Sequence, residues 1–154
     1  MIQRIQSLYL LLVAALTAVT LFAPLASFGS SVGTFELRAF VLQTTTGEVL
    51  NVTIYMGVLL AAACLLPLGT IFCFRNRMLQ LRLCFVELVL LLGSLVMEGV
   101  YYYLGCRLFA GADFATHRFH VAVVLPLVAM LFVWLAIRAI FRDELLVRDA
   151  DRIR

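Results

Sequence analysis

The sequence has little charge and no lysine. Charged residues make up 14% of its 154 residues, and all twelve basic side chains are arginines. A soluble domain has about 25% charged and about 45–50% apolar residues. This chain is 64% hydrophobic, with a mean hydropathy of +1.07. The scarcity of charge therefore excludes an ordinary soluble domain.

The motifs of several enzyme classes are also absent. The four cysteines form no CxxC pair, the spacing used by thiol–disulfide oxidoreductases. The sequence contains no nucleotide-binding glycine loop and no GxSxG nucleophile motif. We therefore expect no catalytic residue of these classes and no cofactor, and we predict a protein that is not an enzyme.

Four long apolar stretches occupy most of the chain, at residues 7–25, 54–74, 81–104 and 119–141. A helix needs about 20 apolar residues to cross a hydrocarbon core of about 30 Å, whereas membrane-barrel strands alternate and are about 10 residues long. Because backbone groups inside lipid must be paired within the segment, the pattern predicts an all-α membrane protein. We expect a single four-helix transmembrane bundle over residues 1–141.

Arginines are concentrated on one side of these stretches. The sparse side carries three of them, namely Arg38, Arg107 and Arg118. The rich side carries nine, namely Arg4, Arg75, Arg77, Arg82, Arg138, Arg142, Arg148, Arg152 and Arg154. Since arginines near span ends favour the cytoplasmic side, both termini are predicted to be cytoplasmic. This topogenic role explains the net charge of +3 without a nucleic-acid partner.

The first outward connection, residues 26–53, is predicted to contain a small β-hairpin. Apolar residues partly alternate over 34–44, turn residues follow at 45–48, and residues 49–53 can form the returning strand. Residues 27–33 have the composition of a turn.

The remaining segments outside the spans are short. Residues 105–118 are predicted to be an outward loop, and residues 142–154 a helical tail on the cytoplasmic side. In that tail Glu144 and Arg148 have the i, i+4 spacing of a helical ion pair.

Glu87 and Glu98 are the ionisable residues inside the predicted spans. Such a side chain at mid-bilayer costs about 2.5–3.5 kcal/mol on insertion scales, so it indicates a functional site by default. Their separation is almost three helical turns, which puts both carboxyl groups on one face about 16 Å apart. They could form two stations of a proton or cation path. The alternative is structural: both lie near span ends and could bond a neighbouring helix.

Asp113, His117 and His120 have i, i+4 and i+7 spacing. In a helix they would share one face, and a carboxylate with two imidazoles is a feasible Zn²⁺ ligand set. The alternative is a group of polar residues at the outer end of a helix.

Three blocks of the sequence resemble a known family. They are MIQRIQSLYL at residues 1–10, RNRMLQLRLC at residues 75–84, and the tail over 136–154. The chain is similar over its whole length to the bacterial family called domain of unknown function 4293. The resemblance implies a four-span bacterial inner-membrane protein without an established activity, and it assigns no site residues. All three blocks fall on the predicted cytoplasmic side.

These observations lead to three functional hypotheses. The first is a non-enzymatic inner-membrane protein, a structural or accessory subunit of a membrane assembly. Its partners would be the lipid bilayer and a protein bound at the outer hairpin or at the cytoplasmic arginines, which would serve topology or docking. The second is a small transporter or proton- or cation-conducting protein using Glu87 and Glu98. The third is a metal-dependent membrane enzyme using Asp113, His117 and His120.

The predicted orientation can be tested with single cysteines in a cysteine-free background. A cysteine near Arg148 should be labelled by an impermeant maleimide only after the cells are opened, because this arginine-rich end faces the cytoplasm. A cysteine in the 45–48 turn is the control and should be labelled in intact cells. Labelling of the tail in intact cells would contradict the orientation.

Overall fold

The computed structural model describes residues 2–30, 33–44, 47–73, 76–109 and 116–152. It contains four long helices: α1, Ile2–Phe22; α2, Ile54–Phe72; α3, Arg77–Phe109; and α4, Leu125–Arg152. All four are long and apolar enough to span a membrane, which confirms the four predicted spanning helices. Successive helices pack on each other, and α1 also packs on α4, which closes the ring. The strands join α1 to α2 and α3 to α4 at one end, and a short connection joins α2 to α3 at the other, so successive helices run in opposite directions.

On α3 and α4 one buried seam runs along the helix with alternating steps of four and three residues. On α3 the buried positions are Gln80, Cys84, Glu87, Leu91, Ser94 and Glu98. On α4 they are Pro126, Ala129, Val133, Ala136 and Ile140. This spacing is typical of a left-handed bundle with crossing angles of about 20°. Many of the largest apolar side chains, such as Leu131 and Val89, point outwards and are exposed.

A five-stranded antiparallel sheet covers one end of the bundle. Its strands are β1, Ala26–Ser30; β2, Gly33–Leu37; β3, Val41–Thr44; β4, Val49–Val52; and β5, Thr116–Phe119. The order across the sheet is β4-β3-β2-β1-β5. The sequence predicted a hairpin of two strands, so the prediction missed three of the five strands.

The first predicted strand, residues 34–44, is in fact divided between β2 and β3. The chain turns between them, where the Arg38 N–H donates to the Val41 carbonyl oxygen at 2.9 Å. The buried Thr53 hydroxyl lies 3.1 Å from the carbonyl oxygens of both Arg38 and Ala39. This turn is thus held by a residue beyond the following two strands, which the local alternation could not reveal.

Two other predictions of local structure were also wrong. Residues 27–33 were predicted as a turn, but Ala26–Ser30 forms the strand β1 and pairs with β2. Span four was predicted from residue 119, but Phe119 ends β5, where it pairs with Ala26. A short 3-10 helix, Val121–Val124, then leads into α4.

Helix α3 extends further than predicted at both ends. It begins at Arg77 and continues to Phe109, into the segment predicted as an outward loop. Its last turns lie beneath β1, where Phe28 is buried against Gly105. At the other end of the bundle, α4 runs to Arg152 without interruption, through the segment predicted as a helical tail.

Gly105 permits this contact between the sheet and α3. A Cβ atom added there would lie 2.7 Å from the Phe28 Cζ atom. Gly105→Ala should therefore destabilise the protein by about 1–3 kcal/mol, the usual cost of overpacking, measured by thermal unfolding in detergent. Gly69→Ala is the matched control, since no atom lies within 4 Å of its added Cβ, and alanine favours a helix. Equal unfolding temperatures for the two variants would contradict this packing.

Candidate functional site

Glu87 and Glu98 both lie on the seam of α3 that faces the bundle interior. Glu87 is 1% exposed and Glu98 is 4% exposed. All four carboxyl oxygens are buried without a hydrogen-bond partner among the described residues. The predicted common face is therefore an interior face, and within the described part of the chain neither carboxyl group bonds to a neighbouring helix.

Two contacts fix the relative heights of α1, α2 and α3. The Cys64 thiol of α2 lies 3.7 Å from the Ala14 carbonyl oxygen of α1, and Leu59 of α2 lies beside Gly93 of α3. Cys64 is five residues from Leu59, and α3 runs opposite to α2. The height of Ala14 therefore corresponds to the position five residues before Gly93, at Leu88.

This alignment places the polar residues of α1 level with those of α3. Thr20 lies at the height of Ser94, and Thr17 lies one turn nearer to Glu87. At a rise of about 1.5 Å per residue, the steps from Glu87 to Thr17, to Ser94 and to Glu98 are about 6, 4.5 and 6 Å. Two hydrogen bonds through one water span about 5.5 Å. These steps are separations along the bundle axis only, because α1 and α3 lie diagonally across the ring of helices.

The hydroxyl groups of this series are turned towards their own helices. Thr17 donates to the Val13 carbonyl oxygen at 2.9 Å, Thr20 to that of Leu16 at 3.0 Å, and Ser94 to that of Leu91 at 2.8 Å. A hydroxyl that donates once still has acceptor lone pairs. Each of these oxygens can therefore accept a hydrogen bond from a water or from a protonated carboxyl group.

Glu98 also lines a cavity of about 180 Å³ at the junction between the bundle and the sheet. One side is α3, with Leu95 and Gly99, and the other includes Phe119 and Val123. Sequence analysis missed this cavity because Phe119 was predicted to begin a helix. Its position depends on the pairing of β5 with β1.

The arginine-rich end contains a specific ion pair. Arg77, at the start of α3, lies 3.1 Å from the Asp143 carboxylate and donates to the Asp143 carbonyl oxygen at the same distance. It joins α3 to α4, a role that its prediction as a topogenic or docking residue did not include. Arg138 lies over the Trp134 ring, 5.7 Å from its centroid.

The other arginines predicted to serve topology or docking are either exposed or lie wholly or partly outside the described residues. Arg82 and Arg142 are exposed to the surroundings of the bundle. Arg4 and Arg148 belong to α1 and α4, but their side chains lie outside the described part, as does all of Arg75.

The metal-site prediction required its ligands to lie on one helix, and the structure places no helix at His117 or His120. His117 lies in the strand β5 and His120 directly after it, so the two histidines do not share a helical face. The His120 N–H donates to the Leu25 carbonyl oxygen at 3.0 Å. Asp113 lies outside the described residues, and among those described no cluster of three metal-ligating side chains occurs.

Thermal unfolding distinguishes a functional carboxyl group from a structural one. Glu87→Gln should leave the free energy of unfolding unchanged or raise it, because the carboxyl group has no hydrogen-bond partner to lose among the residues that the structure describes. Arg77→Gln removes two interactions with Asp143 and should lower it by about 1–3 kcal/mol. A loss for Glu87→Gln as large as that for Arg77→Gln would show that the carboxyl group holds the bundle together.

Comparison with known proteins identifies the family without assigning a function. No curated protein matches the chain. The family model described as Domain of unknown function (DUF4293) matches residues 2–153, nearly the whole chain. This confirms the resemblance seen in the sequence: the protein belongs to the DUF4293 family.

Proposed function

We propose that the protein transfers protons, or another small cation, through the interior of its four-helix bundle. The observation that supports this is a pair of buried carboxyl groups on one interior seam, Glu87 and Glu98, which have no hydrogen-bond partner among the described residues. A structural role for such groups would require hydrogen bonds or ion pairs, since a buried polar group without them is destabilising. Their retention inside an apolar bundle is explained if they bind and release a cation.

The interior residues supply what the sequence pattern alone did not offer. An ion path needs polar groups between its two carboxyl stations, and Thr17, Thr20 and Ser94 lie between the heights of Glu87 and Glu98. A neutral carboxyl group can pass its proton to a water, and the water can pass one on to the next carboxylate. Each carboxyl group would then have a hydrogen-bond donor beside it whenever it is charged. Such a donor lowers the free-energy cost of ionisation in a low-dielectric interior.

The orientation of the path follows from the arginines. We propose a bacterial inner-membrane location with both termini in the cytoplasm. Glu98, beside the sheet, is then the outer station, and Glu87 lies nearer the cytoplasm. At the cytoplasmic end Gln6 and Gln80 lie at the same height, by the alignment of Ala14 with Leu88. Both glutamines are buried, and they continue the polar seam beyond Glu87.

A second candidate function is the accessory subunit of a membrane assembly. It is supported by α4, which continues to Arg152, about nine residues beyond the end of its apolar span at Asp143. The pair of Arg77 and Asp143 fixes the base of this extension. Such a projecting helix could dock a cytoplasmic partner, and a stoichiometric partner recovered from native membranes in mild detergent would support this candidate.

Proton transfer can be measured in proteoliposomes that contain a pH-sensitive dye and are driven by a potassium diffusion potential. The wild-type protein should acidify or alkalise the lumen faster than protein-free liposomes do. Glu87→Gln and Glu98→Gln should each reduce this rate at least about tenfold, because an amide cannot exchange a proton at neutral pH.

Glu48→Gln is the matched control for the flux measurement. It makes the same chemical change at an exposed residue in the connection between β3 and β4, and its rate should equal that of the wild type. Wild-type rates for both interior variants, with all proteins folded and inserted, would refute the proton path. A wild-type rate equal to that of empty liposomes would refute it as well.

A further inference from the structure

The cavity beside Glu98 has the features of a ligand site. Its volume is about 180 Å³, and a dry cavity of about 150 Å³ is large enough to bind benzene. Both carboxyl oxygens of Glu98 are buried and without partners among the described residues, and Glu98 forms part of the cavity wall. One chargeable group therefore lies in a space of about the size of a substituted benzene ring.

The rest of the wall is apolar or aromatic. Leu25, Leu37 and Val123 contribute aliphatic surface. Tyr102 and Phe119 stack on each other with ring centroids 4.1 Å apart, and both line the cavity. Aromatic faces attract cations within about 6 Å of the ring centroid, most strongly where water is excluded.

The cavity is accessible from the side of the bundle. At its edge Phe119 is 63% exposed, and Gly99 on α3 is also exposed. No atom lies within 4 Å of a Cβ added at Gly99, so the helix surface there is open. The adjoining surface includes the exposed residues Val96 and Val100, which belong to an apolar spanning helix. A ligand that partitions into the membrane can reach this edge.

We propose that this cavity binds a small hydrophobic ammonium ion, with its charged nitrogen at Glu98 and its apolar body between the sheet and α3. The ammonium supplies the counter-charge that the buried carboxylate lacks. Its apolar part contacts the leucine and aromatic side chains of the wall, which a hydrated metal ion would not contact. A purely apolar ligand would make these contacts but leave the carboxyl group without a partner.

At Glu98 one ammonium ion takes the place of one proton, so the charge is balanced. The protonated carboxyl group releases its proton to water at the outer side, and the ammonium ion then pairs with the carboxylate. This proposal rests on the proposed cation-transfer function in one respect, because Glu98 would serve both the proton and the ammonium. It assigns to Glu98 a competition between the two.

Binding can be tested on the full-length protein in lipid nanodiscs with 4-fluorobenzylamine, which is protonated at neutral pH, by fluorine NMR. The wild type should bind it saturably, and protons should compete, so that the affinity falls as the pH is lowered. Glu98→Gln should weaken binding at least about tenfold, because a buried charge pair is lost. The neutral analogue 4-fluorobenzyl alcohol should bind at least about tenfold more weakly than the amine.

Gly99→Leu provides a second test that keeps the carboxyl group. It should also weaken binding at least about tenfold, since the leucine side chain narrows the open cavity edge. Gly69→Leu is its matched control: it is an equally open and exposed helix glycine on α2, and its binding should match the wild type. If Glu98→Gln does not fold, the Gly99→Leu result decides.

Several results would overturn the proposal. They are the absence of saturable binding by the wild type, wild-type affinity in a folded Glu98→Gln or Gly99→Leu variant, and equal affinities for the amine and the alcohol. Glu87→Gln separates this proposal from the proton path, because it should bind the amine normally while losing proton flux. Amine binding by a wild type that shows no proton flux would refute the path and leave the ammonium site standing.

Discussion

A helix bundle inside hydrocarbon cannot be held together by moving apolar side chains away from water, and this constraint determines what lies on each face of these helices. Close approach of backbones and internal hydrogen bonds have to replace the hydrophobic drive. Accordingly, alanines occupy much of the interior seam of α4, and the threonines of α1 face inwards. Large side chains such as Leu131 and Trp134 remain outside. The buried polar side chains, including Glu87 and Glu98, therefore lie among small and medium-sized apolar residues of the bundle interior.

The sheet depends on the same bundle for its own stability. Its inner face forms one core with the upper ends of the helices, built around residues such as Leu25, Phe28, Leu37 and Met56. A second core farther along the bundle includes Leu10, Leu91 and Val133. Strand β1 pairs with β5, although about ninety residues separate the two strands in the chain. This pairing joins the segment that follows α1 to the segment that precedes α4. The extra length of α3 supports this pairing from below.

Features that depend on local sequence pattern could be predicted, whereas features that depend on contacts between distant parts of the chain could not. The four helices follow from apolar length alone, and the spacing of Glu87 and Glu98 places them on one face. That this face is the interior one depends on the rotation of α3 against its neighbours, which the nearly uniform apolarity of the helix conceals. Phe119 continues an apolar run into α4, so nothing local distinguishes it from a helix start. Its pairing with Ala26 decides its conformation. The buried four-and-three spacing of small and polar residues, which includes Ser94 and Ala129, was the available signal for the interior.

The two carboxyl groups differ because they lie in different environments along the same seam. Glu87 lies at about the height of Val13, within the bundle core, where the small side chains Ala63 and Ala129 are also fully buried. Glu98 lies where the helix packing ends and the sheet begins, and these two layers do not fill the space between them. The deeper group is thus enclosed by packed helices. The outer group adjoins a cavity of about 180 Å³, and this volume gives it room for a cation larger than a proton.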